Sequence, residues 1–442
     1  MLLVVYLPTA THGIASTDDH APAVEGWRIA TAGTPWLEGV LPGHGIQADP
    51  WLHQMPNGHV VADRMVGPVL MTVPMYLVLG DPHTFSLVPG GLAAAATTAL
   101  AVLVMFLALR RMVGDVTAAA ASLALGLTTP TWSVSADGPW THTITQLGIA
   151  VAAYGASRDR WWLAGCGIAI GMTGRPHLAL VGLLLGLGVA VQRRAAVIAL
   201  RVGAPAVACA GLLLLWNHAL FGGWTLANAA YNGHGAAALG VAPPVPGMGT
   251  AVDRVVNVVG FLVAPDRGLF VWTPVLVVLA PSLARTWTLA PDWTRWLALG
   301  GVAYSLMQSQ LNVFSGGDSF YGYRLALELV TCLVPVLAVS WAAVSRPVRP
   351  VVTGLIGLQF AAVAVGAVTP ALFVSAQDVW HDNAFWMAVR GFPVALVGWT
   401  LSWVVLGALA PALAARGRWL SDVASTAVVH PHGDPATSEK LT

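Results

Sequence analysis

The stretch "WWLAGCGIAIGMTGRPHLALVGLLLGLGVAV" (residues 161–191) is apolar almost throughout. It is too long for a single crossing of a bilayer, which takes roughly 20 residues. Gly174-Arg175-Pro176 stands at its centre. Proline removes a helix hydrogen bond and its ring collides with the preceding turn, so a helix stops there. The stretch reads as two short helices folded back on each other as a hairpin.

That reading sets the phase of the whole chain. Paired arginines fall between the apolar runs: Arg110/Arg111, Arg158/Arg160, Arg193/Arg194, Arg346/Arg349 and Arg416/Arg418. With the hairpin counted as two crossings, all five pairs lie on one side, which the positive-inside rule makes cytoplasmic. The opposite loops hold Asp18, Asp19, Glu25, Glu38, Asp49, Asp63, Asp137, Asp253, Asp266, Asp318, Asp378 and Asp382, with most of the histidines. The acids therefore face outward.

Composition agrees with the membrane reading. The 442 residues are 56% hydrophobic and 9% charged, against about 25% charged in an average soluble domain. The mean hydropathy is +0.71. A net charge of +1 without a basic run excludes nucleic-acid binding. Cys166, Cys209 and Cys332 sit in apolar runs and read as small buried hydrophobes. Lys440 is the sole lysine among 21 basic residues, a mark of GC-rich coding.

Apolar runs lie near 1–15, 86–109, 116–135, 142–157, 161–191, 195–216, 268–284, 295–313, 325–345, 351–374 and 391–414. The expected fold is all-α: one polytopic membrane domain over 1–424 with about a dozen transmembrane helices. Two large loops, about 16–66 and 217–260, face outward, and 425–442 forms a disordered cytoplasmic tail. The first run is short and lacks a basic flank, which points to a tilted first helix or a start upstream. The stretch "QMPNGHVVADRMVGPVLMTVPMYLVLG" (54–80) reads as an interfacial helix along the membrane surface.

Chemistry concentrates on the outer side. Asp18, Asp19 and His20 follow the first run. Adjacent carboxylates repel, which suits either a solvated loop start or a paired acid site. "SADGPWTH" places Asp137, Trp140 and His142 at the outer end of a span, as interface anchors or as site lining. Arg175 sits within the hairpin, where a guanidinium needs a partner or a polar cavity. "APDRG" and "FSGGDSFYGYR" put Arg267, Asp318 and Arg324 beside glycine turns at the outer starts of two spans. Such arginines either snorkel to bulk headgroups or grip one lipid phosphate with two hydrogen bonds. No GxxxxGK[ST] loop, HExxH, paired-cysteine spacing or GxSxG elbow is present, so no ATP motor, zinc protease or serine hydrolase is visible.

Together these residues resemble the integral-membrane glycosyltransferases of the GT-C superfamily, which use a sugar carried on a polyprenyl phosphate. Asp18-Asp19 matches the family's acidic pair after the first helix, and "WRIATAG" ending at Gly33 matches the helix and turn that follow. "APDRGLFVWTPVLVVLAP" is similar to the family's SPxRGLxxxxPxLL run and carries over Arg267 and Gly268. "FSGGDSFYGYRLALELVTCLVPVL" is similar to WxGGxxxGxRxLxxxLP and carries over Gly316, Gly317, Gly322 and Arg324, with Phe314 in place of Trp. The resemblance covers roughly residues 10–345.

It implies inverting transfer of a hexosyl or pentosyl group from a polyprenyl-phosphate donor to a lipid, glycan or protein hydroxyl. The enzyme would sit in the cell membrane, surrounded by lipids, with its active site outside. Asp18 would be the base and Asp19 its neighbour. Arg324, Arg267, Arg175, His20, Asp137, His142 and Asp318 would bind substrate. The residues leave room for a divalent ion on Asp19 or His20 without requiring one. Repulsion from Asp19 is expected to raise the proton affinity of Asp18. A glycolipid transporter and a scaffold without catalysis are the alternatives. Against a transporter stand the acidic first loop and the absence of a visible repeat.

Overall fold

The computed structural model describes residues 1–10, 16–38, 40, 52–55, 58–226, 249–369 and 372–427. A short helix, α1 (Leu2–Tyr6), is anchored where the Tyr6 hydroxyl donates to the Gly126 carbonyl at 2.7 Å. Helix α2 (Thr17–Ala32) follows. The Ser16 hydroxyl caps it by accepting from the Asp18 amide, and Asp18 and Asp19 occupy its first turn. Free N–H groups at a helix start favour negative charge there. Gly33 closes the helix at φ 70°, a left-handed conformation that glycine adopts without a Cβ clash.

The region expected as a loop over 16–66 therefore contains folded elements. After α2 come the antiparallel strands β1 (Leu52–Gln54) and β2 (Val60–Ala62), then α3 (Val66–Leu79). Trp27, Leu37, Val40, Ala62 and Tyr76 pack into a small core between them. Helix α3 buries Val66, Val69, Thr72 and Tyr76 and exposes Leu70, Leu77, Val78 and Leu79. Its outward face is as apolar as its inward one, which suits contact with lipid.

Helix α4 (Val88–Thr128) is broken at Gly114, φ 75° and ψ 164°. A methyl at Gly126 would touch Val102 at 3.0 Å, so the chain reverses at Gly114 and α4 is two antiparallel crossings. A π-helical turn (Thr131–Ser135) leads to α5 (Thr141–Ala156) and α6 (Trp161–Gly174). These two pack through glycine: a Cβ at Gly148 would lie 2.4 Å from the Gly171 amide nitrogen, and one at Gly155 would lie 2.4 Å from that of Ala164. Small residues let membrane helices approach backbone to backbone. The hairpin forms as the sequence predicts. Arg175 is extended (φ −147°, ψ 103°), Pro176–Leu178 makes one 3-10 turn, and α7 (Ala179–Arg193) returns.

Helix α8 (Ala196–Phe221) is next, and residues 227–248 lie outside the described set. Helix α9 (Ala251–Val263) starts inside the region read as loop 217–260, on a capping box between Thr250 and Asp253. The run 268–284 is likewise divided, at Thr273-Pro274, into α10 (Leu269–Trp272) and α11 (Val275–Thr286). Helices α12 (Asp292–Leu311), α13 (Leu327–Ser340), α14 (Arg349–Val368), α15 (Ala384–Gly391) and α16 (Pro393–Ala427) complete the chain. The tail from 428 on lies outside the described residues.

Among the described residues, five helices are long and apolar enough to cross a membrane, and α3, α11 and α13 are shorter apolar ones. The bundle exposes Leu200, Val207 and Leu212 on α8 and Val394, Leu401 and Leu409 on α16, side chains that only lipid would solvate well. The protein is a multi-pass, all-α membrane protein. Arg193 joins three turns at one end of the bundle through Asp159 (2.5 Å) and Asp292 (2.5 Å). Asp18, Arg64, Arg175 and Arg324 gather elsewhere, around the start of α2.

Candidate active site

The site is built on the first turn of α2. Asp18 is 34% exposed and lies between two arginines from distant parts of the chain. Its Oδ1 is 3.0 Å from Arg64 Nη2, just ahead of α3, and its Oδ2 accepts from Arg324 Nη1 in the loop before α13. Burial pushes the Asp18 carboxyl up, but Arg324 and Arg64 outweigh it and hold the group well below the usual carboxylate range, with Arg175 adding to the pull. This reverses the expectation that Asp19 would raise its neighbour. The repulsion falls on Asp19 instead, because no arginine reaches it.

Asp19 is buried, and its Oδ1 has no hydrogen-bond partner. Burial, Asp137 and Asp18 together push its carboxyl well above the ordinary range. Asp137, in the turn before α5, is pushed up to about 7 by burial. The backbone at Gly138 fits against Asp19 so closely that a Cβ there would lie 2.8 Å from Oδ2. His20 sits to one side, its ring edge-on to Phe85 at 5.3 Å. Among the described residues, no group of three or more His, Cys, Asp or Glu side chains is placed to hold a metal ion.

Arg324 is shaped by the loop around it. Its second amino group donates to the Gly316 carbonyl, and its guanidinium lies 5.1 Å from the Trp140 ring and 4.9 Å from that of Phe320. Gly316, Gly317 and Gly322 all have positive φ (68°, 86° and 81°). A Cβ at Gly322 would also meet Pro130 at 2.8 Å. Glycine is required there on both counts.

Arg267 has a different place. It is 2% exposed, 2.7 Å from Asp266, and donates to the carbonyls of Phe320 and Gly322 (both 3.1 Å) and Val374 (2.9 Å). It ties three loops together behind Phe320, whose ring it covers at 4.0 Å. Asp318 likewise faces the backbone, accepting from the Ala376 amide at 2.6 Å. Neither residue has a bond to Asp18.

Arg175 lies on the other flank, 14% exposed. Its guanidinium donates to Thr141 (3.2 Å), Gln308 (3.0 Å) and His142 Nε2 (3.0 Å). The other His142 nitrogen meets Glu328 at 2.8 Å, deep in the bundle. Between α3, α6 and α8 runs an apolar groove of about 440 Å³, lined by Val66, Thr173, Leu213 and Trp216 among others. Its walls begin two residues from Arg64 and two from Arg175.

Two crystal structures of ArnT from Cupriavidus metallidurans, the lipid A aminoarabinose transferase, align with 92% of this chain. The one bound to undecaprenyl phosphate gives a TM-score of 0.52 at 16% identity over 73% of its length. The one in the apo state gives 0.50 at 17% over 72%. The chain shares the fold of these two structures. No family model matches it, and no curated protein does.

Sequence reasoning missed Arg64, Glu328, Gln308 and His177, the last of which meets Gln308 at 2.6 Å. Two of them had a signal. Arg64 is an arginine on the side that the positive-inside rule leaves poor in arginine. Glu328 is a lone carboxylate in the apolar run after Arg324, where an unpaired charge is costly.

Proposed function

We propose that the protein is a membrane glycosyltransferase that moves a sugar from a polyprenyl-phosphate carrier to an acceptor hydroxyl at the outer face, by one inverting displacement. The observation that carries this reading is the Asp18 carboxylate held between Arg64 and Arg324, in the field of Arg175, with an apolar groove that starts two residues along the chain from Arg64 and from Arg175. The GT-C fold supports it, as does the undecaprenyl phosphate in the ArnT crystal structure.

The chemistry asks for little more. The acceptor oxygen attacks the anomeric carbon from the face opposite the phosphate, and its proton passes to Asp18. The carbon–oxygen bond to the phosphate breaks, and the phosphate gains a second negative charge. A carboxylate in hydrogen-bond reach of the nucleophile contributes about 10²–10⁴-fold in rate. Guanidiniums fixed where charge develops contribute through the transition state. The groove takes the first isoprene units of the carrier.

Arg324 has two claimants, Asp18 and the donor phosphate. A bound phosphate draws Arg324 from Asp18, and the carboxylate regains basicity as the donor arrives. The test uses the purified protein in lipid bilayer discs and vesicles with labelled polyprenyl-phosphate sugars. Label appearing on an acceptor supports the enzyme. Label crossing the bilayer without transfer would identify a flippase, and neither event would leave a scaffold.

A further inference from the structure

The proposed displacement uses the charge of Arg175 but not the buried groups behind it. Glu328 and His142 are fully buried, in the apolar bundle, on α13 and α5. Glu328 Oε1 accepts from the Thr145 hydroxyl at 2.7 Å and lies 2.8 Å from His142 Nδ1. Arg175 Nη2 lies 3.0 Å from His142 Nε2. Arginine can only donate, so Nε2 must accept and the ring proton must sit on Nδ1. From there it donates to Glu328, which fixes the tautomer. A doubly protonated ring would set two donors against each other at Nε2.

The remaining bonds of Arg175 complete a three-sided clamp. Nε donates to Thr141 and Nη1 to Gln308, whose oxygen is also 2.6 Å from His177 Nε2. One N–H on each amino group is left over, on a guanidinium whose charge reaches Asp18. Glu328 stands in the first turn of α13, where the helix N-terminus favours a carboxylate, and Arg324 lies one turn ahead of it.

We propose that Glu328 and His142 are positioning residues that hold Arg175 as a fixed second ligand for the carrier phosphate, resting on the glycosyltransferase reading above. The donor phosphodiester carries one negative charge and the departing phosphate carries two. A second guanidinium therefore acts more on the transition state and product than on the bound donor, and its effect falls on kcat rather than KM.

The experiment measures steady-state transfer and polyprenyl-phosphate binding by the full-length protein with Glu328→Ala, Glu328→Gln, Arg175→Gln and the double variant Glu328→Ala/Arg175→Gln. Arg175→Gln and Glu328→Ala each lower kcat about tenfold to a hundredfold, the range for a lost charge-assisted bond, with the donor KM little changed. The double variant is no slower than Arg175→Gln alone, since both act through one guanidinium. Glu328→Gln retains an acceptor for Nδ1–H and recovers most of the rate, which separates positioning from folding should the alanine variant be unstable. Additive losses, or a Glu328→Gln variant as slow as Glu328→Ala, would overturn the assignment. A wild-type protein that neither binds polyprenyl phosphate nor transfers sugar would instead overturn the glycosyltransferase reading.

Discussion

At the scale of single residues, Asp18 and Asp19 stand in opposite electrostatic settings. Both are carboxylates in one helical turn, yet two arginines hold the first ionised while burial and Asp137 press the second toward its neutral form. The acid pair was legible in the sequence as a place. Its electrostatics were not, because Arg64 and Arg324 come from the approach to α3 and the loop before α13. Arg324→Ala should weaken polyprenyl-phosphate binding by about 1.5–3 kcal/mol, roughly tenfold to a hundredfold. Arg324→Lys should restore part of that, since lysine lacks the two-pronged grip. Calorimetric titration of the purified variants checks both. Asp137 supplies a pH prediction. A carboxyl whose native pKa is raised favours the folded state at low pH and loses that contribution as pH climbs toward about 7. Thermal melts of Asp137→Asn should therefore show a shallower fall in stability across that interval than wild type.

At the scale of elements, the break at Gly174-Arg175-Pro176 could be read because proline acts locally, through its own ring and missing N–H. The same holds for Gly33 at the end of α2. Helix α9 and the division at Thr273-Pro274 escaped because the first hides in a stretch that looks like loop, and the second lies within an otherwise apolar run. The glycine seam between α5 and α6 is also invisible in a hydropathy pattern, since glycine there serves closeness and not polarity. Gly148→Val would drive a side chain into the Gly171 backbone. It should cost about 1–3 kcal/mol of stability as an overpacked contact, seen as a lower melting temperature in detergent. It should also loosen Arg175, which ends α6.

At the scale of the whole molecule, the arginine pairs and the outward acids predict a protein with its chemistry on one face. Arg193 pairs with Asp159 and Asp292, and Asp18 with Arg64 and Arg324, in two separate clusters. A reporter fused after Thr442 should therefore be active only in the cytoplasm; activity on the outer side would move the site to the inner face. In the proposed displacement Asp18 takes the acceptor proton during sugar transfer. Single-turnover transfer from a labelled polyprenyl-phosphate sugar by the Asp18→Asn protein tests it most directly. The rate should fall by about 10²–10⁴-fold, with polyprenyl-phosphate binding kept or tightened, because Arg324 is then free for the phosphate. An Asp18→Asn protein that transfers sugar at near the wild-type rate would contradict this role for Asp18.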